Sequence, residues 1–269
     1  MSFDPAQFKR LERRGYNRLG RRYLEAAGRR AALADGLLAA AALAPGQRVL
    51  DIASGPGVLA VAAAAVAGAE GQVVATDIAE AQLACCTAPG VLRVAADGER
   101  LPLADGTFDR VLCGLGLMFF PRPEAALAEM HRVLRPGGRV ALSVWGPAAE
   151  VPLVACALDC IRRCLPPPAV ERPSIFRFGD PALLADRLAG VDFRDIAINP
   201  LRFSLTFPDA PAYWQAFLDL AGGAADSLSR LPAETQERLV REVATELAPH
   251  AVSGGYRLVS TVQVASALR

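Results

Sequence analysis

The residues best suited to chemistry stand in Val49-Leu50-Asp51-Ile52-Ala53-Ser54-Gly55-Pro56-Gly57, followed by Asp77 about 20 residues beyond the last glycine. An apolar run leads into the glycines and an alanine-rich stretch leads away, the pattern of a strand, a tight loop and a helix. Glycines let backbone approach a ligand without a Cβ in the way. The helix that follows presents free N–H groups and its positive dipole end to the same place. Asp77 closes the next apolar run, where a carboxylate can accept both hydroxyls of a ribose. By itself the pattern is shared. Gly55-x-Gly57-x-x-Ala60 satisfies the dinucleotide fingerprint, and Asp77 stands where an NAD-binding acid would. Asp51, four residues before Gly55, has no purpose in an NAD site. It can reach, directly or through water, the ammonium of an amino-acid-like cofactor.

The downstream landmarks are Asp97-Gly98, Leu101-Pro102, Asp105-Gly106-x-Phe108-Asp109 and Arg132-Val133-Leu134-Arg135-Pro136-Gly137-Gly138. With them, residues 47–146 resemble the core of the class I S-adenosylmethionine (SAM)-dependent methyltransferases, in the subgroup similar to the ubiquinone/menaquinone-biosynthesis methyltransferases. DPALLADRLAGVDF at 180–193 is similar to that family's helix into strand six, which extends the likeness to roughly three-quarters of the chain. The resemblance implies a Rossmann-like α/β fold: a seven-stranded, mostly parallel sheet with helices on both faces, the last strand antiparallel, plus a helical cap. It implies SAM as cofactor, Asp77 as ribose acid and Asp97-Gly98 as the adenine-contacting loop. Asp51, Ser54, Gly55 and Gly57 complete the glycine loop, with Ile78, Leu115 and Met118 lining the site. Arg14-Gly15-Tyr16-Asn17-Arg18 resembles the aromatic-led helix that closes over the cofactor, so Tyr16 and Tyr23 are candidates to cover its methionine end.

Methyl transfer from a sulfonium is an in-line displacement that asks chiefly for proximity. A general base is needed only if the acceptor arrives protonated. Of two histidines, His131 reads as a surface residue, and His250, in the variable cap, is the candidate base by virtue of its near-neutral pKa. Phe119, Phe120 and Trp145 fall near the carboxyl ends of strands, where open α/β sheets bind ligands. With Phe176, Tyr213, Trp214 and Tyr256 they form the expected pocket for a small apolar or aromatic acceptor. Cys156, Cys160 and Cys164 recur every four residues but lack zinc spacing, so no metal is expected. Three rivals remain: a SAM-fold enzyme performing another reaction such as cyclisation, an NAD-dependent oxidoreductase, and a non-enzymatic SAM-binding module.

The elements that must position these residues are legible from periodicity. Residues 5–44 read as helical. Strands are expected at 48–53, 72–76, 91–95, 109–115, 139–145, 193–207 with an interruption at Pro200, and 256–268. Helices are expected at 58–67, 79–87, 123–134 (closed by the Arg-Pro-Gly-Gly run, with glycine as C-cap) and 180–188. The rest divides into an N-terminal lid (1–45), a SAM-binding core (46–146), cap insertions (147–178 and 208–250) and remaining core (179–207 and 251–269), all in one domain of 269 residues. A chain 52% hydrophobic and 21% charged is globular rather than disordered. It lacks an apolar run long enough for a membrane span and a signal-like N-terminus. Six cysteines without a disulfide-like framework favour the cytoplasm, and the Ala- and Arg-rich composition a bacterial source. Nine basic residues from Lys9 to Arg30 face only Glu12 and Glu25, which leaves that segment at +7 and the remainder at −6. The reading preferred is a solvated helix face rather than a nucleic-acid surface. A small-molecule acceptor is the expected partner, with a homodimer left open.

Overall fold

The computed structural model describes residues 3–27, 31–168 and 170–269; Arg29 and Arg30 of the basic segment lie outside them. Strands β1 (Arg48–Ile52), β2 (Gln72–Asp77), β3 (Val91–Ala95), β4 (Phe108–Gly114), β5 (Leu134–Trp145), β6 (Arg194–Phe207), β7 (Ala251–Val252) and β8 (Gly255–Leu268) form one sheet. Its order is β3-β2-β1-β4-β5-β8-β6. The pairs from β3 through β5 are parallel, and β8 runs antiparallel to both β5 and β6. The expected seven strands are all present. The eighth, β7, is a two-residue addition folded back on β8 through Gly254, whose φ of 83° is open to glycine.

Val49, Leu50 and Ile52 of β1 and Val111 and Leu112 of β4 are wholly buried, as strands covered on both faces must be. Helix α4 (Val58–Ala67) turns Ala60 and Ala63 to the core with no exposed surface. Its small side chains allow the close approach that carries the glycine loop over the end of β1.

The N-terminal region is three helices rather than one: α1 (Pro5–Leu19), α2 (Arg21–Ala27) and α3 (Ala31–Ala41). Gly20, at φ 46° and ψ −124°, breaks the first from the second. The short α5 (Glu80–Leu83) replaces the helix expected over 79–87; beyond it Cys85 and Cys86 make only i→i+3 bonds. Helix α6 (Pro123–Val133) ends before the Arg-Pro-Gly-Gly run, because Leu134 is already extended and pairs with Phe108. Gly137 does adopt φ 76°, but it bends β5 where the register with β4 shifts. The C-cap role falls to Arg269, whose guanidinium donates to the carbonyls of Arg132 and Leu134. Pro200 does not interrupt β6, since β6 is an edge strand with one unpaired side, where a missing N–H costs little.

Helices α7 (Pro152–Cys164), α8 (Pro181–Ala189), α9 (Ala210–Leu218), α10 (Gly222–Leu228) and α11 (Ala233–Leu247) complete the fold. Helices α7, α9 and α11 pack on one another and extend the sheet's hydrophobic core, with Leu239, Val243, Leu247 and Tyr213 buried in it. The basic side chains of α1 and α2 do not face water alone. Arg13 pairs with Glu80 at 2.9 Å, Arg22 with Asp219 at 3.0 Å, and Arg14, Arg18 and Arg230 converge on Asp226, whose side chain is 2% exposed. The positive segment is thus docked on acids of the negative remainder. Among the described residues no helix is long and apolar enough to cross a membrane.

Candidate functional site

At the carboxyl ends of β1, β2, β3 and β4 lies a cavity of about 790 Å³, its open mouth included. The sheet contributes Ala53, Gly55, Asp77, Ile78, Asp97, Gly98 and Leu115; α1 and α2 cover it with Lys9, Glu12, Tyr16 and Tyr23. Ala53 and Leu115 hold φ angles of 56° and 53°, which L side chains rarely adopt. Strain of this kind persists where the surroundings impose it, and here it lies on two strand ends facing one cavity.

Asp77 accepts the Gly55 N–H at 2.8 Å and the Ala79 N–H at 2.7 Å, one on each oxygen. These bonds pin the glycine loop to β2 while leaving each oxygen capacity for a further donor. Burial raises the Asp77 pKa, and its backbone donors hold the rise in check. Asp51 lies at the foot of the loop. Its Oδ2 accepts the Ser54 hydroxyl at 2.6 Å, but its Oδ1 is buried without a hydrogen-bond partner. Burial pushes its pKa up to about 7, with Ser54 and the Ala60 backbone N–H opposing the shift and Asp77 adding to it. An orphaned buried carboxylate oxygen is an expensive feature for a folded protein, and a cationic ammonium answers it directly. The residues present therefore fit SAM: an acid at the foot of the loop for the amino-acid end, an acid for the ribose, and an acid lining the cavity for the base.

Asp97 accepts the Glu99 N–H and the ammonium of Lys9 at 2.6 Å; Lys9 also reaches Glu99 at 2.7 Å. Gly98 packs directly against the Phe120 ring, which a Cβ there would meet at 2.7 Å. Gly57, at φ 84°, sits against Cys86, whose Sγ would be 2.3 Å from an added Cβ. Tyr16 stacks edge-on with Tyr23 (centroids 5.7 Å apart) and with Phe119 (5.9 Å), forming an aromatic wall. Arg177 steadies the Leu117–Phe120 turn from behind by donating to the carbonyls of Leu117, Met118 and Phe120.

Of the residues expected at the cofactor, Gly55, Asp77, Ile78, Asp97, Gly98, Leu115, Tyr16 and Tyr23 line the cavity. Asp51, Ser54 and Gly57 support it from beneath, whereas Met118, 1% exposed, belongs to the hydrophobic core. The acceptor set divides differently. Phe119 and Phe120 line the cavity; Trp145, Phe176, Tyr213, Trp214 and Tyr256 do not. Trp145 packs near Phe203, and Trp214 against Phe217. Phe176 rests on the core, and Tyr256 pairs with Phe207 at the far end of β8. Tyr213 is a structural tyrosine, its hydroxyl donating to Leu153 O and accepting from Ala157 N. His250 is corrected too: it borders a separate surface cleft with Asp159 and Glu246, away from the cavity. Its place follows from the turn that ends α11 and leads into β7. His131 packs edge-on against Phe193. Cys156 and Cys160 are buried on α7 with thiol pKa values pushed up to about 11 and about 12, chiefly by burial.

Sequence reasoning missed Lys9, Glu12 and Gln82 as lining residues. A signal existed for two of them. Lys9 is the only lysine among 29 basic residues, and Glu12 is one of two acids in a segment otherwise strongly basic. Gln82 carried none; its amide donates to Tyr16 O and its Oε1 is buried unpartnered.

Comparison with known proteins agrees with this geometry. A family profile described as a methyltransferase domain matches residues 50–142. The chain is 44% identical over 120 residues to the ubiquinone/menaquinone biosynthesis C-methyltransferase UbiE of Cupriavidus metallidurans, covering 41% of this chain and 49% of that protein. It is 34% identical over 165 residues to demethylmenaquinone methyltransferase of Mycolicibacterium paratuberculosis, covering 57% of this chain and 70% of that protein. The chain thus spans about half the length of the first of these curated relatives and over two thirds of the second. In fold it is similar to Haemonchus contortus phosphoethanolamine N-methyltransferase 2 solved with S-adenosyl-L-methionine (TM-score 0.55, 16% identity, 88% of this chain and 52% of that one). The similarity in sequence runs through the same glycine loop and strand ends that enclose the cavity, and on that ground the chain belongs to the class I SAM-dependent methyltransferases, in the subgroup similar to the ubiquinone/menaquinone-biosynthesis enzymes.

Proposed function

We propose that this protein transfers a methyl group from SAM to a small, largely apolar ring compound of the kind that a demethylated quinol exemplifies. The observation that carries the reading is a cavity lined by Asp77 and Asp97 at the strand ends, with the buried Asp51 carboxylate, its Oδ1 unpartnered, at the foot of the glycine loop beneath it. When bound, SAM supplies an electrophilic methyl on a good leaving group. In the proposal the protein's residues bind and orient. Asp51 takes the ammonium, Asp77 the ribose hydroxyls, and Asp97 the exocyclic amine of the base. Tyr16, Tyr23 and Phe119 exclude water from the reacting end and present ring edges and faces to an apolar acceptor. Glycines 55 and 57, with Ser54, shape the loop, and Ile78 and Leu115 line the nucleoside. His250 has no part in this proposal.

The same reading divides the chain into a lid (1–45), a core (46–146, 179–207 and 251–269) and a cap (147–178 and 208–250) of one domain, working as a cytoplasmic enzyme on a small-molecule partner. Calorimetric titration with SAM and with NAD, separately, is the direct test. SAM should bind and NAD should not; binding of NAD alone would sink the proposal. Release of S-adenosylhomocysteine only in the presence of a reduced naphthoquinol would then support methyl transfer over a non-methylating role.

A further inference from the structure

Glu12 is a carboxylate that the cofactor reading leaves unused. It lies midway along α1, its side chain is 8% exposed, and it lines the cavity with Asp77, Tyr16 and Phe119. Its seat is built from glycines. A Cβ on Gly222 would fall 2.9 Å from Glu12 Oε2, and one on Gly223 would fall 2.7 Å from Oε1. A Cβ on Gly15 would meet the Gly223 backbone at 2.3 Å. Helices α1 and α10 therefore touch backbone to backbone, and the contact delivers the carboxylate to the cavity. There Oε1 accepts from Arg172 at 3.0 Å and Oε2 from the Gly223 N–H at 3.3 Å. Each oxygen keeps lone-pair capacity for a further donor.

The other ties between α1 and the cap put half-exposed arginines of α1 on an acid of the cap. Glu12 reverses that arrangement: a buried acid on α1, lining the aromatic cavity, is paired with a cation, Arg172, from the cap side. Burial raises the Glu12 pKa against the opposing pull of Arg172 and Gly223, which makes it a stronger base than an exposed carboxylate.

We propose that Glu12, with Arg172 beside it, binds the hydroxyl of a phenol- or enol-type acceptor and receives the acceptor's proton during methyl transfer. The proposal rests on the methyl-transfer reading above. The acceptor's nucleophilic atom bonds to the methyl carbon, and the methyl–sulfur bond breaks with its electron pair left on sulfur, giving S-adenosylhomocysteine. The acceptor's proton passes to the Glu12 carboxylate and from there to water. Arg172, hydrogen-bonded to Glu12 Oε1, orients the carboxylate for that transfer.

The test begins with SAM affinity, measured for wild type and Glu12→Gln. Protein loaded with S-adenosylhomocysteine is then titrated with 2-naphthol, and with naphthalene as the control lacking a hydroxyl. The expected result is SAM binding within about threefold of wild type, 2-naphthol binding weakened at least tenfold in the variant, and naphthalene binding equal in both. With 1,4-naphthoquinol as acceptor, turnover should fall by about 10² or more, the usual range for loss of a general base. Absence of 2-naphthol binding to wild type, equal affinity in Glu12→Gln, or no wild-type turnover of the quinol would overturn the proposal. Failure of wild type to bind SAM would overturn the methyl-transfer reading, and this inference with it. Should Glu12→Gln not fold, Glu12→Asp keeps the charge but withdraws it by one carbon. It should weaken 2-naphthol and spare naphthalene; the opposite pattern counts against the proposal.

Discussion

Asp77 holds two backbone donors, Gly55 N–H and Ala79 N–H, so its substitution reaches beyond the ligand it faces. Asp77→Ala should weaken SAM binding by roughly 10- to 100-fold, the loss of one or two charge-assisted hydrogen bonds. It should also lower stability by about 1–2 kcal/mol, because two N–H groups lose their acceptor. Calorimetry and a urea titration measure the two effects, and unchanged SAM affinity would remove Asp77 from the site. Asp51 makes a different prediction. With its pKa near 7 the empty protein carries it largely protonated below neutrality, while an ammonium partner favours the carboxylate. SAM binding should therefore release a proton, and affinity should rise with pH up to about 7 and then level. Titrations in two buffers of different ionisation enthalpy would reveal the proton, and Asp51→Asn should abolish it. The stability sign is the reverse. The folded state binds more protons than the unfolded one between the ordinary carboxylate range and about 7, so this group's contribution to stability declines as pH rises through that window. Both acids were legible in sequence because spacing from a glycine loop says where a carboxylate will stand. Gln82 was not, because its meaning comes from what α1 brings against it, and Glu12 stood out only as an acid in a basic run, its seat being set by α10.

At the scale of elements, α1 is held to the rest of the molecule by side chains at both ends of its length. Two half-exposed arginines of α1, Arg14 and Arg18, meet the buried carboxylate of Asp226, which Arg230 also reaches from the cap, and all three would be solvated if that acid were lost. Asp226→Ala should cost about 1–2 kcal/mol, within the range for a partly buried network whose cations can reach water. Its larger effect should be local: faster amide exchange in α1 and quicker release of SAM, with exchange in β1 and β4 unchanged. Equal exchange in α1 would contradict the docking role. Strands and helices of the core followed their hydrophobic periods closely, and the departures have physical reasons. Gly20 broke the N-terminal helix, the edge position excused Pro200, and Arg269 took over an end that glycine was expected to cap. The last could not be seen locally, since the arginine lies 137 residues from the carbonyl of Arg132.

For the whole molecule, the charge asymmetry becomes an adhesive between the N-terminal helices and everything they cover. Partly exposed pairs are screened by salt, with the Debye length falling from roughly 10 Å at 0.1 M to about 3 Å at 1 M. Raising salt across that range should speed SAM release several-fold while leaving the urea midpoint of the core nearly constant; stopped-flow displacement and equilibrium unfolding separate the two. The aromatics show where sequence stops. Phe119 follows the end of β4 and Trp145 closes β5, yet one faces the cavity and the other packs near Phe203. A hydrophobic side chain satisfies a core or a pocket equally well, and only the placement of the cap decides between them.

The ion pair that joins Lys9 to Asp97 and Glu99 has a practical corollary. Because Lys9 is the sole lysine in the sequence and its side chain is 17% exposed, a lysine-directed acylating reagent has a single side-chain address, at the cavity beside Asp97. Its labelling rate, followed by mass spectrometry with and without SAM, would serve as a one-residue gauge of whether the helix over the cofactor is open or shut.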